Sequence, residues 1–363
     1  MSAIAIGGLA IACVTALLCS LAGVLLVVNR ESLVTEALSH AIVPGVVIAF
    51  LVTPDFSSPT LIVGAALMGV VMILLVQLIE RTKLVGGDAP LGIVFPALFS
   101  IGVLLVSLHL GDQHFHADCI VDGNIQAASA YRLRVGDVVL GPKVLYAGLV
   151  ALALLLAFIV TFFKELKVMA FDPGLAALMG FRPRTLHLVW LVLVSLTLVV
   201  AFQVAGPVLA VALMITPPAA ASLLTDRLDR MFVFSALIAL AACIPGFFLA
   251  WELGVPAGGP IASMVGAIFL LVFLFAPKHG LVARVLHQKE QRWRLYEQLL
   301  LLELSRGEEA DPTSQKTLDS IRASFPDSAH FDEVLRRAEV SGCVTRRGSL
   351  LSATARGLER LPN

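Results

Sequence analysis

Residues 32–50 read SLVTEALSHAIVPGVVIAF, from Ser32 to Phe50. The stretch opens polar, carries Glu36 and His40, and turns wholly apolar after Pro44 and Gly45. Residues i and i+4 are neighbours on a helix surface, so the two ionisable side chains share one face. A spanning helix needs about 20 mainly apolar residues, and this stretch has that length with an ionisable pair near one end. A charge at mid-bilayer costs at least about 2.5 kcal/mol, less toward the ends, so such residues face protein or water and commonly mark a pathway. Two readings stand at this level. Glu36 and His40 line a path through the membrane, or a neutral His40 bonds to a neighbouring helix while Glu36 is solvated at the interface. Pro44 adds a bend just beyond the pair and Gly45 a point of close packing.

The rest of the chain has the same character. Of 363 residues 58% are apolar and 14% charged, against about 25% charged in a soluble domain, and the mean hydropathy is +0.92. Nearly uncharged runs cover residues 4–28, 34–52, 60–79, 91–110, 144–163, 186–204, 206–224, 231–251 and 261–276. The expected fold is an all-α polytopic membrane protein of 8–9 transmembrane helices. The range reflects the short last run and 206–224, where Pro207, Pro217 and Pro218 predict a broken helix that suits gating. If the first span ends inside, the short inner loops hold nine Lys and Arg and the outer loops only Arg132, Arg134 and Lys143. This places the N-terminus outside and the C-terminal region in the cytoplasm. The first run has no basic segment before it and reads as a retained span, not a signal peptide. Cys13, Cys19, Cys119, Cys243 and Cys343 are scattered without a CxxC pair, so neither a disulfide framework nor a zinc ribbon is indicated.

Two further segments carry chemistry. HLGDQHFHADC, at the outer end of the fourth run, offers His109, Asp112, His114, His116, Asp118 and Cys119 as ligands for a divalent transition metal; the alternative is a solvated turn. In FKELKVMAFDPGLAALMGF, Asp172 is placed to cap a helix with Pro173 at its first position and Gly180 at its stop. That short helix carries Leu175, Leu178 and Met179, which suits docking into a partner's groove or lying on the bilayer surface. No GxxxxGK[ST], HExxH or GxSxG motif occurs, so nothing in the chain points to an enzyme or to nucleotide hydrolysis by the phosphate-loop route.

Five segments taken in order resemble the permease subunits of the bacterial manganese, zinc and iron ABC importers: residues 19–50, DAPLGIVFPALFSIGVLLVS (88–107), DGNI (122–125), residues 163–181 and GPVLAVALMITPPAAASLLTDRL (206–228). The resemblance implies a permease paired with a second copy or a sister permease, fed by an extracytoplasmic metal-binding protein and driven by a separate cytoplasmic ABC ATPase. It implies pathway lining for Glu36 and His40. It also implies an ATPase coupling helix over Asp172, Pro173, Leu175, Leu178, Met179 and Gly180, with Gly174 where an acidic residue is common. The expected cargo is manganese, zinc or iron in transit, with no permanently bound cofactor. Chemistry of this kind is coordination without reaction.

The composition changes after Pro277. Residues 278–363 hold 14 of the 26 basic and 12 of the 26 acidic residues, which gives +2. The expected division is a transmembrane permease domain over 1–277 and a cytoplasmic domain over 278–363. Short helical patterns followed by a two-stranded turn around Arg346 to Gly348 resemble a winged helix. Nucleic-acid binding usually shows a clearly basic face, and this balance favours docking or regulation instead. Family permeases often end soon after their last span, so the tail is expected to be a departure. The alternative for the whole chain is a membrane-anchored regulator whose tail binds DNA or a partner.

Overall fold

A bilayer core offers no water to bond exposed N–H and C=O groups, so a chain of apolar runs must satisfy its backbone within each run, as helices do. The computed structural model describes residues 3–53, 59–109, 125, 132–135, 138–277, 280–283, 295–302, 304, 321–322, 331–347 and 350–354. It divides into two units, Met1–Ala276 and Pro277–Asn363. The first contains α1 (Ala3–Val28), α2 (Ser32–Ala41), α3 (Val43–Val52), α4 (Pro59–Thr82), α5 (Ala89–His109), α6 (Lys143–Thr161), α7 (Phe163–Phe171), α8 (Pro173–Leu178), α9 (Pro183–Leu224), α10 (Leu228–Leu253) and α11 (Gly258–Phe275). Between α5 and α6, β1 (Arg132–Val135) pairs antiparallel with β2 (Val138–Pro142), with a bulge between Leu133 and Arg134. Among the described residues eight segments are long and apolar enough to cross a membrane, α2 and α3 together forming one of them. The chain is a multi-pass membrane protein.

The centre of this unit is α1, packed against α6, α9 and α10. Leu18, Leu25 and Leu26 are buried on it. A Cβ at Gly23 would lie 1.6 Å from the carbonyl oxygen of Met214, so α1 and α9 meet backbone to backbone there. Ser235 Oγ of α10 donates to the Ser20 carbonyl at 3.1 Å. Without a hydrophobic drive between helices in lipid, close approach and interhelical hydrogen bonds of this kind hold a bundle together.

The sixth and seventh apolar runs form one element of 42 residues, α9. Straight, it would be about 63 Å long, twice a bilayer core. It breaks at Gly206, with φ 70° and ψ 167°, a conformation that essentially only glycine adopts. Two contacts show that the limbs fold back. His187 on the first limb bonds to Glu31 at 2.8 Å, and Met214 on the second receives a hydrogen bond from Thr35. Positions 31 and 35 are about 6 Å apart at the start of α2, whereas 187 and 214 on a straight helix would be about 40 Å apart. Both limbs return to the same end of the bundle, and α9 therefore accounts for two crossings. The break precedes Pro207; the helix continues through Pro217 and Pro218, both buried in the second limb.

The second unit packs Leu300, Leu301, Phe331, Val334, Leu335 and Cys343 into its own small core. It contains α12 (Phe331–Val340) and a hairpin in which β3 (Val344–Arg347) pairs antiparallel with β4 (Leu350–Ala353). Among the described residues this helix and hairpin, with helical turns at 295–302 and 321–322, stop short of a complete winged helix.

Candidate metal pathway and coupling helix

Glu36 and His40 occupy successive turns of α2, and His40 Nε2 stands 3.2 Å from Glu36 Oε1. Their side chains are 54% and 43% exposed on this chain, although Thr35, Ala37, Leu38 and Ser39 around them are buried. From α5, Phe99 meets the imidazole edge-on at 5.4 Å and Phe95 lies at 6.2 Å. Directly beyond the pair α2 ends at Ala41, Ile42 keeps helical dihedrals as the cap, and α3 begins with Pro44 in its first turn. One imidazole nitrogen and one carboxylate, neighbours on an exposed face and bordered by aromatic rings, form a partial donor set for a divalent ion.

His109 is the last residue of α5, and its Nδ1–H reaches the Leu105 carbonyl at 3.3 Å. It lies about 15 Å along the helix from Phe99. Asp112, His114, His116, Asp118 and Cys119 lie outside the described residues. Among the described residues no three His, Cys, Asp or Glu side chains converge on a metal-sized site.

The capped helix forms as its residue types dictate. Asp172 Oδ1 accepts the N–H groups of Gly174 and Leu175, both at 2.9 Å, and Pro173 holds the first helical position. At the other end Gly180 sits at φ 86°, its N–H bonded to the Ala177 carbonyl and that of Phe181 to Ala176. This is the glycine-terminated closure that satisfies the last carbonyls of a helix. Ala176 is buried, while Leu175, Leu178 and Met179 are exposed by 48%, 87% and 58%. The outcome is a firmly capped helix of six residues with an apolar outer face.

One polar pair escapes a reading by local pattern. Glu31, at the N-cap of α2, pairs with His187 in the second turn of α9, and both are partly buried. The available signal is a glutamate at an N-cap, where Ser, Thr, Asp or Asn is usual. Its partner is 156 residues away.

A bundle of this kind defines a polytopic membrane subunit. Residues 2–276 match the model of the ABC 3 transport family, and the chain belongs to that family, whose members are membrane subunits of ABC transporters. It is 38% identical over 353 residues to the zinc transport system membrane protein TroD of Treponema pallidum, covering 96% of this chain and 95% of that one. It is 37% identical over 277 residues to the manganese transport system membrane protein MntD of Bacillus subtilis, covering 76% and 94%. Among solved structures it resembles PsaBC from Streptococcus pneumoniae in complex with Fab, with a TM-score of 0.63 and 28% identity over 75% of this chain and 92% of that one. The match to TroD takes in most of residues 278–363, so that relative shares the tail, whereas the match to MntD covers 94% of MntD within 277 residues, in line with a tail that many family permeases lack.

Proposed function

We propose that this chain is the permease subunit of an ATP-driven importer of divalent transition-metal ions, with manganese, zinc or iron as cargo. The family match across residues 2–276 carries the reading, and the relatives named for zinc and manganese transport support the cargo class. The chain works with a cytoplasmic ABC ATPase, a second permease copy or sister permease, an extracytoplasmic metal-binding protein and the surrounding lipid. The charge balance of +2 over residues 278–363 favours docking or regulation by the tail over contact with nucleic acid. The N-terminus faces outside and residues 278–363 form a cytoplasmic docking or regulatory domain, in keeping with the Lys and Arg bias of the loops.

Within this reading Glu36 and His40 line the path, with His109, Asp112, His114, His116 and Asp118 at its outer mouth. The half-exposed pair supports the assignment, because the second permease would cover such a face and leave a polar passage between two chains. The imidazole favours zinc and the carboxylate manganese, so a mixed donor set holds the ion without trapping it. The apolar face of α8 docks on the ATPase, and the second limb of α9, with Pro217 and Pro218, moves as a gate. The test is the metal content, by mass spectrometry, of cells producing the permease with its ATPase and binding protein, against an ATPase-dead control. A selective rise in one transition metal is expected. Equal metal content in the two would overturn the reading.

A further inference from the structure

Two turns and one hydrogen bond connect α8 to α2 without a flexible loop. On one side α8 closes at Gly180, and α9 starts only three residues later, at Pro183. His187 is in the second turn of that helix. On the other side α1 closes on Arg30, whose φ is 63°, with Arg30 N–H bonded to the Val27 carbonyl at 3.2 Å and Glu31 N–H to Leu26 at 2.7 Å. This is the closure that usually takes glycine. Glu31 is thus both the last residue of that turn and the N-cap of α2. Its side chain makes no cap bond to its own helix; Oε2 instead accepts from His187 Nε2–H at 2.8 Å.

We infer that Glu31 and His187 are positioning residues that join the coupling helix to the path-lining helix. This rests on the proposed roles of α8 and of the Glu36–His40 pair. A shift of α8 is carried through the Gly180 turn to the start of α9 and across the hydrogen bond to the α1–α2 corner. Because that corner is a single closed turn, α2 must follow. Glu36 and His40 then move with it, about 7 and 14 Å along the helix from Glu31. Rigid elements joined by a polar contact are the usual carriers of coupling between distant sites. Packing alone does not require this pair, since apolar side chains of similar volume hold a buried contact as well as a partly buried polar pair does.

The experiment uses the full permease assembled with its ATPase and binding protein in proteoliposomes, with metal uptake and ATP hydrolysis measured on the same preparation. In His187→Ala, uptake per ATP hydrolysed is expected to fall about 2- to 30-fold, the range over which coupling mutations act, while hydrolysis and subunit assembly persist. His187→Gln, which keeps a donor for Glu31, should restore the ratio. An unchanged ratio in His187→Ala would overturn the link, as would a loss in His187→Gln as deep as in His187→Ala. If His187→Ala does not assemble, Glu31→Ala tests the same bond from its other side, with Glu31→Gln as the conservative rescue. Absence of uptake by the unmodified complex would instead count against the proposed function itself.

Discussion

At the scale of single residues, the chemistry of the molecule lies in a few ionisable side chains among apolar ones. His40 is the sharpest case. It bonds to Glu36 on its own helix and meets aromatic rings from α5, so its nitrogen donor chemistry is kept near an exposed face. Replacing it by alanine should raise the metal concentration for half-maximal uptake by about 10- to 100-fold, the usual effect of weakening a metal site, with ATP hydrolysis unchanged; uptake kinetics measure it. In the tail, Arg336 and then Arg337 bond to Glu333 and hold its carboxyl below the usual glutamate range. A lowered carboxyl pKa gives stability that is present above the unfolded value of 4.5 and is lost as pH falls through the folded one. The opening equilibrium of α12, read from amide exchange rates corrected for their intrinsic pH dependence, should therefore shift toward the open state on acidification, and less steeply in Glu333→Gln. The Glu36–His40 pairing and the Asp172 cap were legible from sequence because spacing and cap position reveal them. The Glu31–His187 pair was not, because neither residue belongs to a local pattern and only the tertiary fold brings them together.

At the scale of elements, composition located the spans well: apolar runs 60–79, 91–110 and 231–251 became α4, α5 and α10 with modest extension at their ends. Hydropathy registers the solvent a helix meets, not the path of its axis. The separate runs 186–204 and 206–224 correspond to the two limbs of α9, but hydropathy did not show that these limbs abut at a single glycine with no loop between them. The break expected among the prolines falls at Gly206, directly before Pro207, which fits the first position of a helical limb, while the freed carbonyls at Pro217 and Pro218 are tolerated inside a bundle. Gly206 carries the reversal through its positive φ. Gly206→Val should cost about 1–3 kcal/mol, seen as a lower unfolding temperature of the detergent-solubilised protein. The β1–β2 hairpin gave no signal strong enough to find, because short strands with mixed polarity resemble loops.

At the scale of the whole molecule, the charge boundary near Pro277 coincides with the division into two compact units. Each has its own apolar core. A chain ending at Ala276 should assemble with the ATPase and import metal at about the unmodified maximal rate, while losing whatever response the tail imposes; uptake across a range of internal metal concentrations separates the two effects. The bundle also bears on how it is made. Between Arg184 and Asp226 there is no Lys, Arg, Asp or Glu, so the insertion machinery meets no charged signal to stop or orient either limb of α9. The two limbs must enter the bilayer together as a ready-made hairpin, their direction set by the flanking arginines and by docking on α1. A peptide tag placed at the elbow to report its sidedness would have no loop to occupy and would destroy the topology it was meant to map.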